Sequence, residues 1–162
     1  MMKNIFKNVI PHVAIRLGTL DKKFTSEDII EKHNNIQKKH GSVYFGKTGR
    51  KFDVIKFNFI IEAIKKNSSI TFILVQRNKT EVIAYSAPLF NIYNIGHTPE
   101  INLVPQYYLN SVSDINTWFQ IGYLKKMSNE TLKKFKLITN DRPLIQTILS
   151  CRTALMLVKD GE

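Results

Sequence analysis

The amino-acid sequence predicts a single α+β domain in which a curled, mixed β-sheet is flanked by helices. Its 162 residues, 43% of them hydrophobic, suit one compact domain with a substantial core. Segments with helical spacing of apolar residues are interspersed with short strand-like segments. Two of these strands are joined by a short polar turn, which favours antiparallel pairing. We therefore expect one domain over residues 1–162 with a mixed or antiparallel sheet.

The first half of the chain predicts a strand at 9–17, a helix at 25–39, a strand at 42–45 and a helix at 53–66. Pro11 favours an edge position for the first strand, because proline cannot donate a backbone hydrogen bond. Thr25 is a typical N-terminal cap, and Gly41 is typical of the position after a helix end. Asp53 is expected to cap the second helix. Phe52, just before the cap, and Phe57, four residues after it, have the spacing of a hydrophobic staple.

The second half of the chain predicts shorter elements. We expect strands at 70–76, 82–92, 117–124 and 154–158, a loop at 94–105, a short helix capped at residue 128 and another helix at 141–149. Gly96, Pro99 and Pro105 support the loop, since glycine and proline interrupt regular structure.

Nearly all of the net positive charge lies within residues 32–80. This stretch contains eleven lysines and arginines and only two acidic residues, which gives +9 of the +11 carried by the whole chain. Charge of this density attracts polyanions and neutralises phosphates. Lys56, Lys65 and Lys66 are expected on the solvated face of the second helix. A second basic cluster, at 125–136, either extends a binding face or forms the solvent-exposed side of a pair of helices.

The segment from Gly41 to Thr48 matches the phosphate-loop pattern G-x-x-x-x-G-K-T in every specified position. In such a loop a hydrophobic strand precedes the glycines and a helix follows at once. Here a polar helix precedes the segment, its variable residues Ser-Val-Tyr-Phe favour a strand, and the next helix is capped only at Asp53. We interpret the match as accidental and predict that the chain does not hydrolyse nucleotides.

Other classes of function have little support in the sequence. The single cysteine, Cys151, excludes an internal disulfide and a cysteine-built zinc site. No apolar run approaches the ~20 residues of a membrane span. His33 lies on the apolar stripe of its helix and is interpreted as a buried structural residue. We therefore expect no catalytic residues, no metal, no cofactor and no membrane partner, and a cytoplasmic location.

The segment Gly41-Ser-Val-Tyr-Phe-Gly-Lys-Thr-Gly-Arg50, which follows a helix containing His33-Asn34, resembles PUA-like domains. The EVE-type and related base-reading modules of bacterial restriction systems are the nearest in pattern. The resemblance continues through the helix at 53–66, the strand Thr-Phe-Ile-Leu-Val at 71–75 and the segment Tyr-Ser-Ala-Pro-Leu-Phe at 85–90, and it covers about residues 9–158. It implies a curled β-barrel that holds a nucleobase, often a modified one, in an aromatic pocket.

This resemblance also implies site residues. Tyr44 and Trp118 would form the walls of the pocket, while Lys47 and Arg50 would face phosphates. Alternation along a strand sends neighbouring side chains to opposite faces, so Tyr44 and Phe45 cannot both line one pocket. Together with the charge pattern, the predicted nucleic-acid-binding residues are Tyr44, Lys47, Arg50, Lys51, Lys65, Lys66, Trp118, Lys125 and Lys126.

The leading hypothesis is therefore a non-enzymatic domain that binds DNA or RNA. It would contact phosphates through a basic loop and stack a base on an aromatic side chain. The alternative is a small phage-type anti-defence protein, an anti-CRISPR or anti-restriction factor. Such a protein would bind a defence-system nuclease or ribonucleoprotein rather than free nucleic acid.

Overall fold

The computed structural model describes residues 9–17, 25–49, 52–66, 68–78, 80–94, 96 and 98–161. The helices are α1 (Ser26–His40), α2 (Val54–Lys65), α3 (Asn129–Leu132) and α4 (Leu144–Ser150), with 3-10 helices at Ile101–Leu103 and Gln106–Asp114. The strands are β1 (His12–Arg16), β2 (Val43–Lys47), β3 (Thr71–Asn78), β4 (Glu81–Tyr93), β5 (Thr117–Ile121), β6 (Lys125–Lys126), β7 (Phe135–Leu137) and β8 (Leu155–Asp160).

The strands form one eight-stranded mixed sheet in the order β2-β5-β4-β3-β1-β8-β7, with β6 paired to β4. Strand β1 pairs in parallel with β3, and the other pairs are antiparallel. The long strand β4 pairs with β3 through its first part and with β5 through its last residues, and a register shift separates β4 residues 89 and 91. The predicted α+β fold with a mixed sheet is confirmed, and the sheet is open rather than closed into a barrel.

Helices cover both faces of the sheet because side chains alternate along the strands. Val13 and Ile15 of β1 belong to the larger core cluster, which includes Ile29 and Ile30 of α1 and Ile60 of α2. A second cluster on the opposite face includes Ala14 of β1 and apolar residues of α3 and α4. A third, smaller cluster joins β2 and β5 to the second 3-10 helix.

The predicted helix ends are confirmed where local sequence determines them. Thr25 forms a capping box with Asp28 at the start of α1. Gly41 follows α1 with φ of 88°, a left-handed conformation that glycine adopts without strain. Asp53 caps α2, and the rings of Phe52 and Phe57 pack with their centroids 5.9 Å apart, as expected for the staple.

Other predictions need correction. Strand β1 lies between β3 and β8 rather than near an edge, because Pro11 precedes the strand and takes no place in its hydrogen-bond ladder. Part of the predicted loop at 94–105 forms a 3-10 helix. The helix expected from residue 141 begins at Leu144, after Pro143, and β5 ends at Ile121 instead of residue 124.

Candidate nucleic-acid interface

A cleft of about 650 Å³ opens where three separate segments of the chain meet. Its lining comes from the end of β2 and the residues after it, from the start of α2 and from the residues before β8. We call it the basic cleft, and its lining residues are Lys47, Thr48, Gly49, Phe52, Asp53, Lys56, Arg152, Thr153, Ala154 and Leu155.

The first side of the basic cleft, Lys47–Gly49, is anchored by Asn116. The Asn116 backbone N–H donates to the Lys47 carbonyl at 2.8 Å, and its side-chain amide donates to the Gly49 carbonyl. The Lys47 side chain is 8% exposed, and its ammonium donates to the Thr48 carbonyl at 3.2 Å. Burial lowers the pKa of Lys47 because it disfavours the charged form. An anion in the cleft would favour the charged form of this lysine.

The second side of the basic cleft is the first turn of α2. The Asp53 carboxylate accepts hydrogen bonds from the backbone N–H groups of Ile55 at 2.8 Å and Lys56 at 3.2 Å. No acidic residue lies within the first turn itself, and Lys56 is placed there instead. Lys56 adds a cation at the positive end of the helix dipole, and the Asp53 carboxylate offsets part of that charge.

The third side of the basic cleft, Arg152–Leu155, is positioned by Arg16 of β1. The Arg16 guanidinium donates to the carbonyls of Ile148 at 3.0 Å, of Cys151, and of Thr153 at 3.4 Å. Burial is the main cause that lowers the pKa of Arg16, and repulsion from Arg77 is the second. An arginine nevertheless remains charged at neutral pH. Arg16 therefore holds the turn before β8 and adds positive charge behind it.

The basic cleft has the chemistry of an anion site. Lys47, Lys56 and Arg152 contribute cations from three parts of the chain, and Asp53 is the one carboxylate among the described lining residues. A smaller cavity of about 170 Å³ shares Lys47 and Thr48 with the cleft and also contacts Arg16. The arrangement can neutralise phosphates of a polyanion lying across the opening.

Comparison with known proteins identifies the family of the chain. A sequence model of the Pua-like family matches residues 21–150, which is most of the chain. The chain belongs to the Pua-like family. PUA-like domains generally bind nucleic acid. A search of curated proteins and a search of solved structures gave no match.

In this Pua-like chain, the two predicted pocket aromatics are buried. Tyr44 is 4% exposed and Trp118 is 2% exposed, and their ring centroids lie 6.0 Å apart. The ring of Tyr108, from the second 3-10 helix, packs edge-on against Trp118 with centroids 5.5 Å apart. Phe45 points to the opposite face and is buried in the larger core. Both predicted stacking rings therefore pack in the interior, and their contact with a base stays a prediction.

The predicted basic residues are spread over separate places. Arg50 and Lys51 lie outside the described residues, between the cleft-lining Gly49 and Phe52 in sequence. Lys65 and Lys66 are exposed at the far end of α2, about 18 Å along the helix from Asp53. Lys125 and Lys126 form β6 and are exposed beside β4. Lys47 is thus the predicted binding residue that the structure places in the basic cleft.

The phosphate-loop pattern has a different structure here. Gly41 ends α1, residues Val43–Lys47 form β2, and α2 begins at Val54. The residues of the pattern therefore span the end of a helix and a whole strand. In a phosphate loop the same pattern residues form the loop between a strand and a helix. Among the described residues, no group of three or more His, Cys, Asp or Glu side chains could hold a metal ion.

Sequence reasoning missed Arg152, Asn116 and the position of Lys56. Lys56 did carry a local signal. A lysine in the first turn of a helix interacts unfavourably with the helix dipole, which indicates another role for its charge. Arg152 and Asn116 carry no such signal, since only the folded sheet brings them to residues 47–49. In the part of the chain that the structure describes, no helix is long and apolar enough to span a bilayer.

Proposed function

We propose that this Pua-like domain binds DNA or RNA through the basic cleft, and that it acts by binding rather than by catalysis. The observation that carries the proposal is the convergence of Lys47, Lys56 and Arg152 on one opening of about 650 Å³. Lys47 and Lys56 belong to the basic stretch 32–80, whereas Arg152 is distant in sequence and joins them only through the fold. Family membership supports the same class of ligand.

Two further features support phosphate contact at this position. The formal net charge of +11 attracts a polyanion from a distance. Hydrogen bonds from Asn116 and Arg16 to backbone carbonyls hold the described cleft segments 47–49 and 152–155, which leaves these segments preorganised. The prediction that Arg50 and Lys51 contact phosphates rests on the sequence alone, since both lie outside the described residues.

The test is direct binding of labelled oligonucleotides by fluorescence anisotropy over a series of salt concentrations. We expect single-stranded DNA or RNA to bind, with log K falling by several units per unit of log salt. Lys56→Gln and Arg152→Gln should each weaken binding and reduce the magnitude of this slope by about 0.7–0.9. Lys133→Gln is the matched control, because it removes an exposed charge outside the cleft lining.

Two results would overturn the proposal. One is a wild-type protein that binds neither DNA nor RNA at low salt. The other is equal loss of affinity in Lys56→Gln, Arg152→Gln and Lys133→Gln, which would show attraction by net charge alone. Binding of duplex over single strands would keep the proposal and identify the form of nucleic acid.

A further inference from the structure

A second groove, of about 760 Å³, lies at the other end of α2 from the basic cleft. Residues 68–71, which follow α2, form one side of it, and the middle of β4 forms the other. Gly122, Tyr123 and Lys125, from the connection between β5 and β6, close it. We call it the Phe90 groove, after the most exposed aromatic side chain that lines it.

Phe90 lies at an irregularity in β4 and faces outward. Leu89 pairs with Ile121 and Asn91 pairs with Gln120, so Phe90 is the extra residue of a β-bulge. Its neighbours Leu89 and Ile92 are buried, whereas Phe90 is 46% exposed. Phe90 continues the alternation of Ala87, Pro88 and Leu89 to the exposed face, and its ring lines the groove.

Gly122 provides the surface on which this ring rests. A Cβ atom at Gly122 would lie 3.3 Å from Phe90 Cζ and 3.1 Å from Pro88 Cδ, closer than most such contacts. The Gly122 N–H donates to the Pro88 carbonyl at 3.0 Å, which fixes the two segments together. The ring of Phe90 is therefore supported by backbone while nearly half of its side chain stays in solvent.

The surroundings of Phe90 are positive and rich in hydroxyl groups. Lys125 lines the groove, and the ammonium of Lys38 lies 5.5 Å from the ring centroid of Tyr123. Ser68, Ser69 and Thr71 contribute hydroxyl groups. No aspartate or glutamate is found among the described residues that line it. An exposed ring in a groove that a lysine lines, with no carboxylate among the described lining residues, matches a strand of unpaired nucleotides, whose bases stack and whose phosphates are anionic.

We propose that the Phe90 groove holds an unpaired base of a nucleic-acid strand, stacked on the ring of Phe90, with Lys125 contacting its backbone. This proposal rests on the proposed function and adds to it a second contact, at the opposite end of α2. The two sites together would contact one strand that passes from one end of α2 to the other. The ligand class is single-stranded nucleic acid without sequence preference, because every base has a face that can stack.

The experiment compares an oligothymidylate with an abasic oligonucleotide of the same length and backbone. Phe90→Ala should weaken binding of the oligothymidylate by about 5- to 150-fold and leave binding of the abasic strand unchanged. Phe90→Leu, which keeps an apolar side chain at the bulge, should show most of the same loss. Leu109→Ala is the matched control, since Leu109 is 43% exposed and lies outside the lining of either site.

A tryptophan variant reports on stacking itself. Phe90→Trp should keep the affinity, and its added emission should be quenched by the oligothymidylate but not by the abasic strand. The native Trp118 is the single tryptophan and is 2% exposed, so it supplies a constant background.

Wild-type affinity in Phe90→Ala, or unchanged emission in Phe90→Trp, would overturn this inference. If Lys56→Gln and Arg152→Gln still weakened binding, the basic cleft would stand and the Phe90 groove alone would fall. If the wild-type protein bound no nucleic acid, both proposals would be overturned.

Discussion

At the scale of single residues, Gly46 shows how a sequence pattern and a structural role can differ. The phosphate-loop pattern assigns it to a loop, but it pairs with Trp118 in the ladder between β2 and β5. A Cβ atom at this position would lie 2.8 Å from Trp118 Cζ3 and 3.0 Å from Ile115 Cδ1. The absence of a side chain thus lets the indole ring close against β2.

Gly46→Ala should therefore destabilise the protein by about 1–3 kcal/mol, the usual cost of adding volume to a packed interior. Urea unfolding followed by circular dichroism measures this change. Trp118→Phe, which makes room at the contact, should reduce the cost of the alanine when the two are combined. Additive effects of the two substitutions would contradict the assigned contact.

At the scale of elements, the second 3-10 helix explains why the aromatic residues are buried. The Tyr108 hydroxyl donates to the Gly46 carbonyl at 3.4 Å, across a separation of 62 residues in sequence. Its neighbour Tyr107 packs against His33 of α1, with ring centroids 5.8 Å apart. The helix therefore covers the outer face of β2 and β5.

This covering marks the limit of prediction from sequence. The ends of α1 and α2 were predictable because Thr25, Gly41 and Asp53 act on backbone groups within a few residues. The burial of Tyr44 and Trp118 was not predictable, because it depends on the distant segment 106–114, for which the sequence predicted no element. Likewise, the sequence predicted Lys47 as a phosphate-binding residue but not Arg152, because only the topology of the sheet brings Arg152 into the same cleft.

The contact between α1 and this 3-10 helix makes stability depend on pH. His33 is fully buried, and its Nδ1 lies 2.8 Å from the Ile29 carbonyl, to which it donates a hydrogen bond. Its Nε2 lies 3.4 Å from the Tyr107 hydroxyl. Burial lowers the pKa of His33 from 6.5 to about 4, since the charged form would lose its hydration. The folded protein therefore holds a neutral imidazole over most of the acidic range.

Between the two pKa values the unfolded chain binds more protons than the folded protein, so stability falls as pH falls. The contribution of His33 is complete above pH 6.5 and should decrease by about 2 kcal/mol by pH 5. Urea unfolding at several pH values in this window measures the loss. His12 contributes with the same sign, because burial also lowers its pKa. The difference between wild type and His33→Gln isolates His33, and equal pH dependence of the two proteins would contradict the assignment.

At the scale of the whole molecule, charge acts on stability and on binding in opposite directions. The chain has 24 basic and 13 acidic residues, so at least eleven cations have no acidic counterpart in a one-to-one pairing. Repulsion among them opposes the compact state, and dissolved salt screens that repulsion. The same salt competes with the protein for phosphates and weakens binding of nucleic acid.

Raising sodium chloride from about 20 to about 200 mM should therefore stabilise the free protein by roughly 1 kcal/mol, or about 2–4 °C in Tm. Over the same range, the increase in Tm produced by an oligonucleotide should shrink, because the ligand stabilises only in proportion to its affinity. Thermal unfolding with and without the oligonucleotide measures both trends.

The variant Lys133→Glu/Lys134→Glu replaces two exposed cations by anions and lowers the formal net charge from +11 to +7. It should flatten the salt dependence of the free protein, and the ligand-induced shift should persist but be smaller, because the long-range attraction is weaker. A free protein that loses stability as salt rises would show that attractive ion pairs, rather than excess positive charge, dominate its electrostatics.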